Sequence, residues 1–185
     1  TDKIFFWMLP VMYGVFTAVF VTLARSDSGA SSAKKGAAAF GMGMLAIILD
    51  TQRHLFPDWF FTMAVPLHWL VLWYMADAFL VRHGDRVPVK PVVALFSVGL
   101  AINLAATFII DSVAIRVPNT SIIAIAILAL ALPRFFAHRE KQLDNITGFV
   151  VAMCWLSYVA RFAFYFMLDQ SGEYARTSQW SQYMM

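Results

Sequence analysis

Charged residues are scarce in this sequence, and so is cysteine. Only 14% of the 185 residues are Asp, Glu, Lys or Arg, against about 25% in an average soluble domain. The single cysteine, Cys154, excludes an internal disulfide and is too isolated for a zinc site, so we expect it to be a small core residue. The net charge of +3 comes from scattered basic residues. We therefore predict no nucleic-acid partner.

Apolar residues take the place of the missing charge. They make up 61% of the chain and raise its mean hydropathy to +0.68. They fall into runs of roughly 17–24 residues, which is long enough to cross the hydrocarbon core of a bilayer. The predicted spans are residues 4–24, 36–56, 59–81, 91–110, 119–132 and 146–168. The prediction is an all-α integral membrane protein, a bundle of six transmembrane helices that uses residues 1–185 as a single domain.

Lysine and arginine are unevenly divided between the two sides of this predicted bundle. The gaps after spans one, three and five hold nine of them: Arg25, Lys34, Lys35, Arg82, Arg86, Lys90, Arg134, Arg139 and Lys141. The other side holds four: Lys3, Arg53, Arg116 and Arg176. Because cytoplasmic loops are enriched in Lys and Arg, the three basic gaps are predicted to be cytoplasmic, with the N-terminus outside.

The tail of residues 169–185 is predicted to lie outside and ends where another helix can begin. Within Tyr174–Met185, Trp180 and Tyr183 suit the membrane interface at the start of a helix. A seventh span would return the chain to the cytoplasm, so we expect this chain to be the membrane portion of a longer protein. The alternative is a chain that ends in an external, interfacial tail.

Polar side chains inside apolar spans are costly in lipid, which makes them functional candidates. Seven are predicted at similar depth in the outer half of the bundle: Asp50, Arg53, His54, His68, Ser157, Arg161 and Tyr165. Asp50, Arg53 and His54 share one helix face because of their i, i+3, i+4 spacing. Arg161 needs an acidic partner, and Asp50 is the best one by depth. Asp77 lies near the other end of span three, where Arg82 or another basic residue can neutralise it.

Two interpretations of these seven residues remain open. In the first they are structural, since a buried Arg–Asp pair can fix helix packing without binding anything. In the second they line a polar pocket that opens to the outer side and suits a small amphipathic or anionic ligand, with Arg161 as its charge anchor.

The histidines are candidate haem ligands, because a membrane b-type haem needs two axial His on facing helices. His68 can be one of them, but His54 lies closer to the interface, and His83 and His138 lie in loops on the basic side. We therefore predict no cofactor, with haem through His68 as an alternative. Nucleophile, zinc and phosphate-loop motifs are missing from the sequence, and no catalytic residue is predicted.

One stretch resembles a known family. Residues 37–59, AAAFGMGMLAIILDTQRHLFPDW, resemble the second membrane helix of the multi-helix input regions that precede GGDEF-type diguanylate cyclase domains in bacteria. The shared features are F-G-x-G, then L-D-x-x-R before a Leu/Pro turn. Residues 155–165, WLSYVARFAFY, are similar to the sixth helix of that family, and YARTSQW is similar to the start of its seventh.

The resemblance implies a sensory or regulatory domain in the bacterial inner membrane, working as a homodimer with its output enzyme downstream in the cytoplasm. Asp50, Arg53 and Arg161 carry over as structural or ligand-sensing positions. We therefore expect a domain that detects a small ligand or lipid and signals to an output such as a diguanylate cyclase that makes c-di-GMP. The alternatives are an accessory subunit of a larger membrane complex with pigment, quinone or haem, and a small transporter subunit.

Overall fold

The protein is all-α, and six of its helices are long and apolar enough to cross a membrane, as expected for a membrane bundle. The computed structural model describes the backbone of residues 2–26, 30–52, 55–110, 113–137 and 142–169. The helices are α1 (Asp2–Arg25), α2 (Ala30–Thr51), α3 (Asp58–Leu80), α4 (Val89–Phe108), α5 (Val113–Ala137) and α6 (Gln142–Asp169). A short 3-10 turn, Val81–His83, follows α3.

Helices α3 and α5 form the centre of the bundle. Helix α3 packs against α2, α4 and α5, while α1 packs mainly on α2 and α6 mainly on α5. The burial of each helix follows this order, since 39% of the candidate span is buried in both α3 and α5, against 6% in α1 and 12% in α6. The outer helices therefore offer their apolar faces to lipid.

The core lies between α3, α4, α5 and α6. Its buried members are small or medium apolar side chains, with one aromatic ring: Ala76, Leu80, Val87, Val92, Leu128, Ala131, Phe135 and Val151. A second group joins it from α3 and α5, where Trp69 packs against Ile123 and Ile127. Small residues in these positions let neighbouring helices approach closely, which is how packing stabilises helices that share an apolar solvent.

Glycines set the close approach of α1 and α2. A Cβ atom on Gly43 would lie 2.4 Å from the ring of Tyr13, and one on Gly36 would lie 2.7 Å from the ring of Phe20. Between them, Phe40 stacks on Phe20 with 5.4 Å between ring centroids. Phe40 and Gly43 belong to the F-G-x-G stretch that resembles the sensor family, and here they serve helix packing.

The observed helix limits differ from two sequence predictions. Helix α2 begins at Ala30, so Lys34 and Lys35 are helical and do not belong to a polar gap. Helix α2 also ends at Thr51, which leaves a longer connection to α3 than the predicted turn at Pro57 and Asp58.

Helix α5 is longer at both ends than the predicted fifth span of residues 119–132. Helix α5 continues through Pro118 and Pro133 to Ala137. Helices in membranes tolerate proline because neighbouring groups satisfy the backbone carbonyl that proline leaves free.

The prediction that Cys154 is a core residue was also wrong, because Cys154 is exposed on the outer surface of α6. In a membrane protein an apolar sequence context does not separate a core position from a lipid-facing one.

The two ends of the bundle differ in charge. At one end, where α1, α3 and α5 finish, five exposed basic residues gather: Arg25, Lys34, Arg82, Arg86 and Lys90. We call this the basic end. The opposite end is where α2 and α4 finish and where α3 and α5 begin.

Candidate functional site

Two of the predicted polar residues meet at the opposite end of the bundle. His68 of α3 and Asp50 of α2 lie 3.1 Å apart, from the imidazole Nε2 to the carboxylate Oδ2. Their side chains are 38% and 54% exposed, so the pair lies on the surface of the α2–α3 interface. The contact is a hydrogen bond for neutral histidine and an ion pair for the protonated ring. It joins α2 to α3.

The other predicted residues have different positions. Ser157 is exposed on α6 and donates its hydroxyl to the carbonyl of Cys154 at 2.7 Å, within its own helix. Tyr165 is buried on α6 at 3% exposure. Because α6 packs mainly on α5, neither residue lies at the α2–α3 interface that holds the Asp50–His68 pair.

Three predicted residues are outside what the structure describes. Arg53 and His54 fall in the undescribed connection after α2, and only the backbone of Arg161 is described, within α6. The predicted pairing of Arg161 with Asp50 therefore stays a prediction.

The described histidines do not form a haem site. His68 lies in α3 and His83 in the turn that follows it. At a rise of 1.5 Å per residue, about 22 Å of helix separates them. Two residues so far apart on one element cannot bind the two faces of the same iron. Within the described ranges, no group of three or more His, Cys, Asp or Glu is placed to hold a metal ion.

A buried polar cluster between α3, α4 and α5 was not predicted from the sequence. The side-chain amide nitrogen of Asn119 donates to the carbonyl oxygen of Gly99 and to Oδ1 of Asn103, both at 2.8 Å. Asn103 and Asn119 are 1% and 7% exposed. Two buried amides therefore link α4 to α5 within the membrane span.

Threonines extend this cluster to α3. The Thr107 hydroxyl donates to the carbonyl of Asn103 at 2.8 Å, and its oxygen lies 2.7 Å from the hydroxyl oxygen of Thr62. Since the Thr107 proton is already used, Thr62 is the donor between the two hydroxyls. The Trp69 indole also donates to the carbonyl of Thr120 at 3.3 Å. We call Thr62, Trp69, Asn103, Thr107, Arg116, Asn119 and Thr120 the α3–α4–α5 polar cluster.

Within the described residues, two hydrogen-bond donors of this cluster have no acceptor. Every polar hydrogen of Asn119, Thr62, Thr107 and the Trp69 indole has an acceptor. The Nδ2 amide of Asn103 and the Nε of Arg116 are buried without one. A buried donor without an acceptor costs about 1–3 kcal/mol.

Arg116 brings positive charge to the same place. It lies in the first turn of α5, one turn before Asn119 on the same helix face. The packing of Gly99 against Ile123 and of Asn103 against Asn119 sets the register of α4 and α5. This register puts Arg116 level with Ala106, one turn nearer the membrane surface than Asn103. The N-terminus of a helix also carries a positive partial charge.

Ion pairs join neighbouring elements at the basic end. The ammonium group of Lys35 on α2 pairs with the Asp77 carboxylate on α3, which also accepts the backbone N–H of Val87 at 2.9 Å. The Ser32 hydroxyl donates to the carbonyl of Ala78 beside them. The prediction that a basic residue on this side neutralises Asp77 is confirmed, and that residue is Lys35.

A second ion pair at the basic end joins α5 to the connection between α3 and α4. Arg134 of α5 lies 2.6 Å from Oδ1 of Asp85, which also accepts the backbone N–H of Arg86 at 2.7 Å. The described acids of this end, Asp77 and Asp85, are thus both paired. The exposed cations around them keep a net positive charge.

Comparison of the chain with protein families, with curated proteins and with solved structures finds no match.

Proposed function

We propose that this protein is a membrane sensory or regulatory domain that detects a small ligand or lipid at the end opposite the basic end. It signals to a cytoplasmic output such as a diguanylate cyclase. The observation that carries the proposal is the Asp50–His68 contact. It is a polar, surface-accessible link between two apolar helices, and intramembrane ionisable residues of this kind are functional candidates.

Helix α3 connects the parts that such a domain needs. One face of α3 holds His68 against α2, while Thr62 and Trp69 hold other faces against α4 and α5. At its far end, Asp77 is tied to Lys35 of α2. A change in how α3 packs at one end therefore alters its pairing with α2 at the other. A ligand produces such a change only if it binds one packing more tightly than another.

The charge distribution supports an orientation for this signal. The exposed cations of the basic end favour a cytoplasmic position by the positive-inside rule. The N-terminus and the Asp50–His68 pair then face the outer side of a bacterial inner membrane. An external stimulus would thus reach the end that holds the Asp50–His68 pair, and the basic end would face a cytoplasmic output.

Distance measurement between the helices tests this proposal. Spin labels at K34C on α2 and R82C after α3 report the basic end, in a Cys154→Ser background. Replacing His68 with Ala, or Asp50 with Asn, is expected to shift or broaden the distance distribution by roughly 1–2 Å, the scale of helix shifts in switching proteins. His68→Gln keeps a hydrogen bond to Asp50 and should restore the original distribution.

The matched control is Ser157→Ala, which removes a hydroxyl at similar predicted depth whose hydrogen bond in the described structure lies within α6. It should leave the distances unchanged. Unaltered distances in both the His68→Ala and Asp50→Asn proteins would show that the pair does not communicate with the basic end, and the proposal would fail.

The output is tested separately by sequencing the coding region beyond Met185. The proposal expects a further membrane helix followed by a cytoplasmic signalling domain. A stop codon directly after Met185 would contradict signalling to an output on the same chain.

A further inference from the structure

The α3–α4–α5 polar cluster contains two buried hydrogen-bond donors that have no acceptor in the described part of the chain. Four buried side-chain nitrogens lack an acceptor within the described part of the chain, and two of them, Asn103 Nδ2 and Arg116 Nε, belong to this cluster. The other two are the indoles of Trp73 and Trp155, which pack on the apolar core. Only the cluster therefore combines free donors with a charge.

A group that binds to these donors must accept hydrogen bonds and must be stable beside a positive charge. Asn103 is 99% buried, and its Oδ1 is already bound to Asn119, so its free amide hydrogens need an oxygen acceptor. Arg116 adds a guanidinium, whose strongest partners are phosphate and carboxylate oxyanions. The first turn of α5 favours the same negative charge. The Asn103 amide thus needs an acceptor, and the two positive features of α5 favour an oxyanion as that acceptor.

The depth of the cluster fits an oxyanion at the membrane surface. Arg116 is the second residue of the candidate span Ile115–Ala137. Asn103 lies five residues before the end of the span Val89–Phe108. That distance corresponds to about 8 Å below the surface at the rise of an α-helix. An oxyanion on Arg116 is therefore at headgroup level, with Asn103 about one turn deeper.

We propose that the α3–α4–α5 polar cluster is a binding site for a phosphate-type oxyanion, held by Arg116 and Asn103. The oxyanion is either a lipid headgroup or free phosphate. The regulatory role of the bound oxyanion rests on the proposed function. The binding of the oxyanion does not depend on that function. It moves the charge anchor of the ligand from the predicted Arg161 to Arg116.

The test uses the full chain in phosphatidylcholine nanodiscs and follows the thermal unfolding midpoint. One arm titrates inorganic phosphate against sodium chloride of equal ionic strength. The other arm replaces part of the lipid with phosphatidylglycerol and counts the lipids retained by mass spectrometry. Stabilisation in the first arm identifies free phosphate as the source, and stabilisation with lipid retention in the second identifies a headgroup. Either result supports the site.

Three variants separate the site from general charge effects. Arg116→Gln should weaken the response about tenfold or more, as expected for losing a charge-assisted hydrogen bond. Asn103→Asp should abolish it, because the new carboxylate supplies the oxyanion to Arg116 from within the protein. Arg82→Gln removes an exposed cation at the basic end and should change the response less than about twofold, since solvent-exposed charges contribute little.

Several outcomes would overturn the inference. They are no stabilisation in either arm, an unchanged response in Arg116→Gln, or an equal loss in Arg82→Gln. A poorly folded Asn103→Asp protein leaves the decision to Arg116→Gln. If phosphate or phosphatidylglycerol binds as expected but leaves the K34C–R82C distances unchanged, the site stands and the proposed sensory function fails.

Discussion

Gly99 lies where α4 packs closely against both α3 and α5, and its replacement by alanine tests the packing of the polar cluster. A Cβ atom at this position would lie 2.6 Å from Cγ1 of Ile123 and 2.8 Å from Cη2 of Trp69. Both neighbours are fully enclosed, at 3% and 1% exposure, so neither can move aside without disturbing the core. The carbonyl of Gly99 also accepts the Asn119 hydrogen bond, which a displaced α4 would lengthen.

The cost of Gly99→Ala follows from these contacts. Overpacking a filled core costs about 1–3 kcal/mol, and weakening a buried hydrogen bond adds about 0.5–1.5 kcal/mol. The better helix propensity of alanine offsets about 1 kcal/mol of this loss of stability. We expect a net loss of about 2 kcal/mol in the free energy of unfolding. Reversible unfolding of the protein in mixed micelles with increasing dodecyl sulfate, followed by tryptophan fluorescence, measures it.

Gly148→Ala is the matched control on α6. Nothing lies within 4 Å of the Cβ atom it would introduce. It should unfold at the same or a slightly higher detergent fraction than the original protein, because only the helix-propensity gain remains. If Gly99→Ala proved as stable as Gly148→Ala, the close approach of α4 to Trp69 and Ile123 would be refuted.

The ion pairs of the basic end give further predictions for the same unfolding assay. Lys35→Ala leaves the Asp77 carboxylate, 7% exposed, with only a backbone partner. It should cost about 1–3 kcal/mol, below the 3–5 kcal/mol of a fully buried pair, since the Lys35 side chain keeps some contact with solvent. Lys34→Ala, at the exposed neighbouring position, should change stability by less than about 0.5 kcal/mol. Arg134→Gln should cost at most about 1 kcal/mol because the Arg134–Asp85 pair is partly solvated. Equal losses in all three proteins would contradict the assigned pairs.

The six helices were predictable because membrane spans follow from a property of the sequence alone. A run of apolar residues of sufficient length is a span whatever it packs against. The helix limits were less predictable, because they depend on partners. Lys35 lies within α2 and pairs with Asp77 of α3. The local sequence around Lys35 gives no sign of this partner. Cys154 likewise has apolar neighbours in sequence, yet it faces outward.

The candidate site was predictable in part. Depth alone placed Asp50 and His68 at one level, and the structure puts them in contact. The asparagines were not predicted, because an uncharged amide in an apolar run is a weaker signal than an ionisable side chain. Asn103 and Thr107 follow an i, i+4 spacing inside an apolar run, which is a usable signal for a polar face. Their partners on α3 and α5 are 16 to 45 residues away in sequence and emerge only with the fold.

The central claim is that an oxyanion bound at the end opposite the basic end changes helix packing at the basic end. The most direct measurement is the K34C–R82C distance distribution of the otherwise unaltered, Cys154→Ser protein in nanodiscs. It is recorded in phosphatidylcholine alone, with inorganic phosphate, and with phosphatidylglycerol. The account predicts a shifted distribution with one of these two additions and its loss in Arg116→Gln. Identical distributions under all three conditions would contradict it.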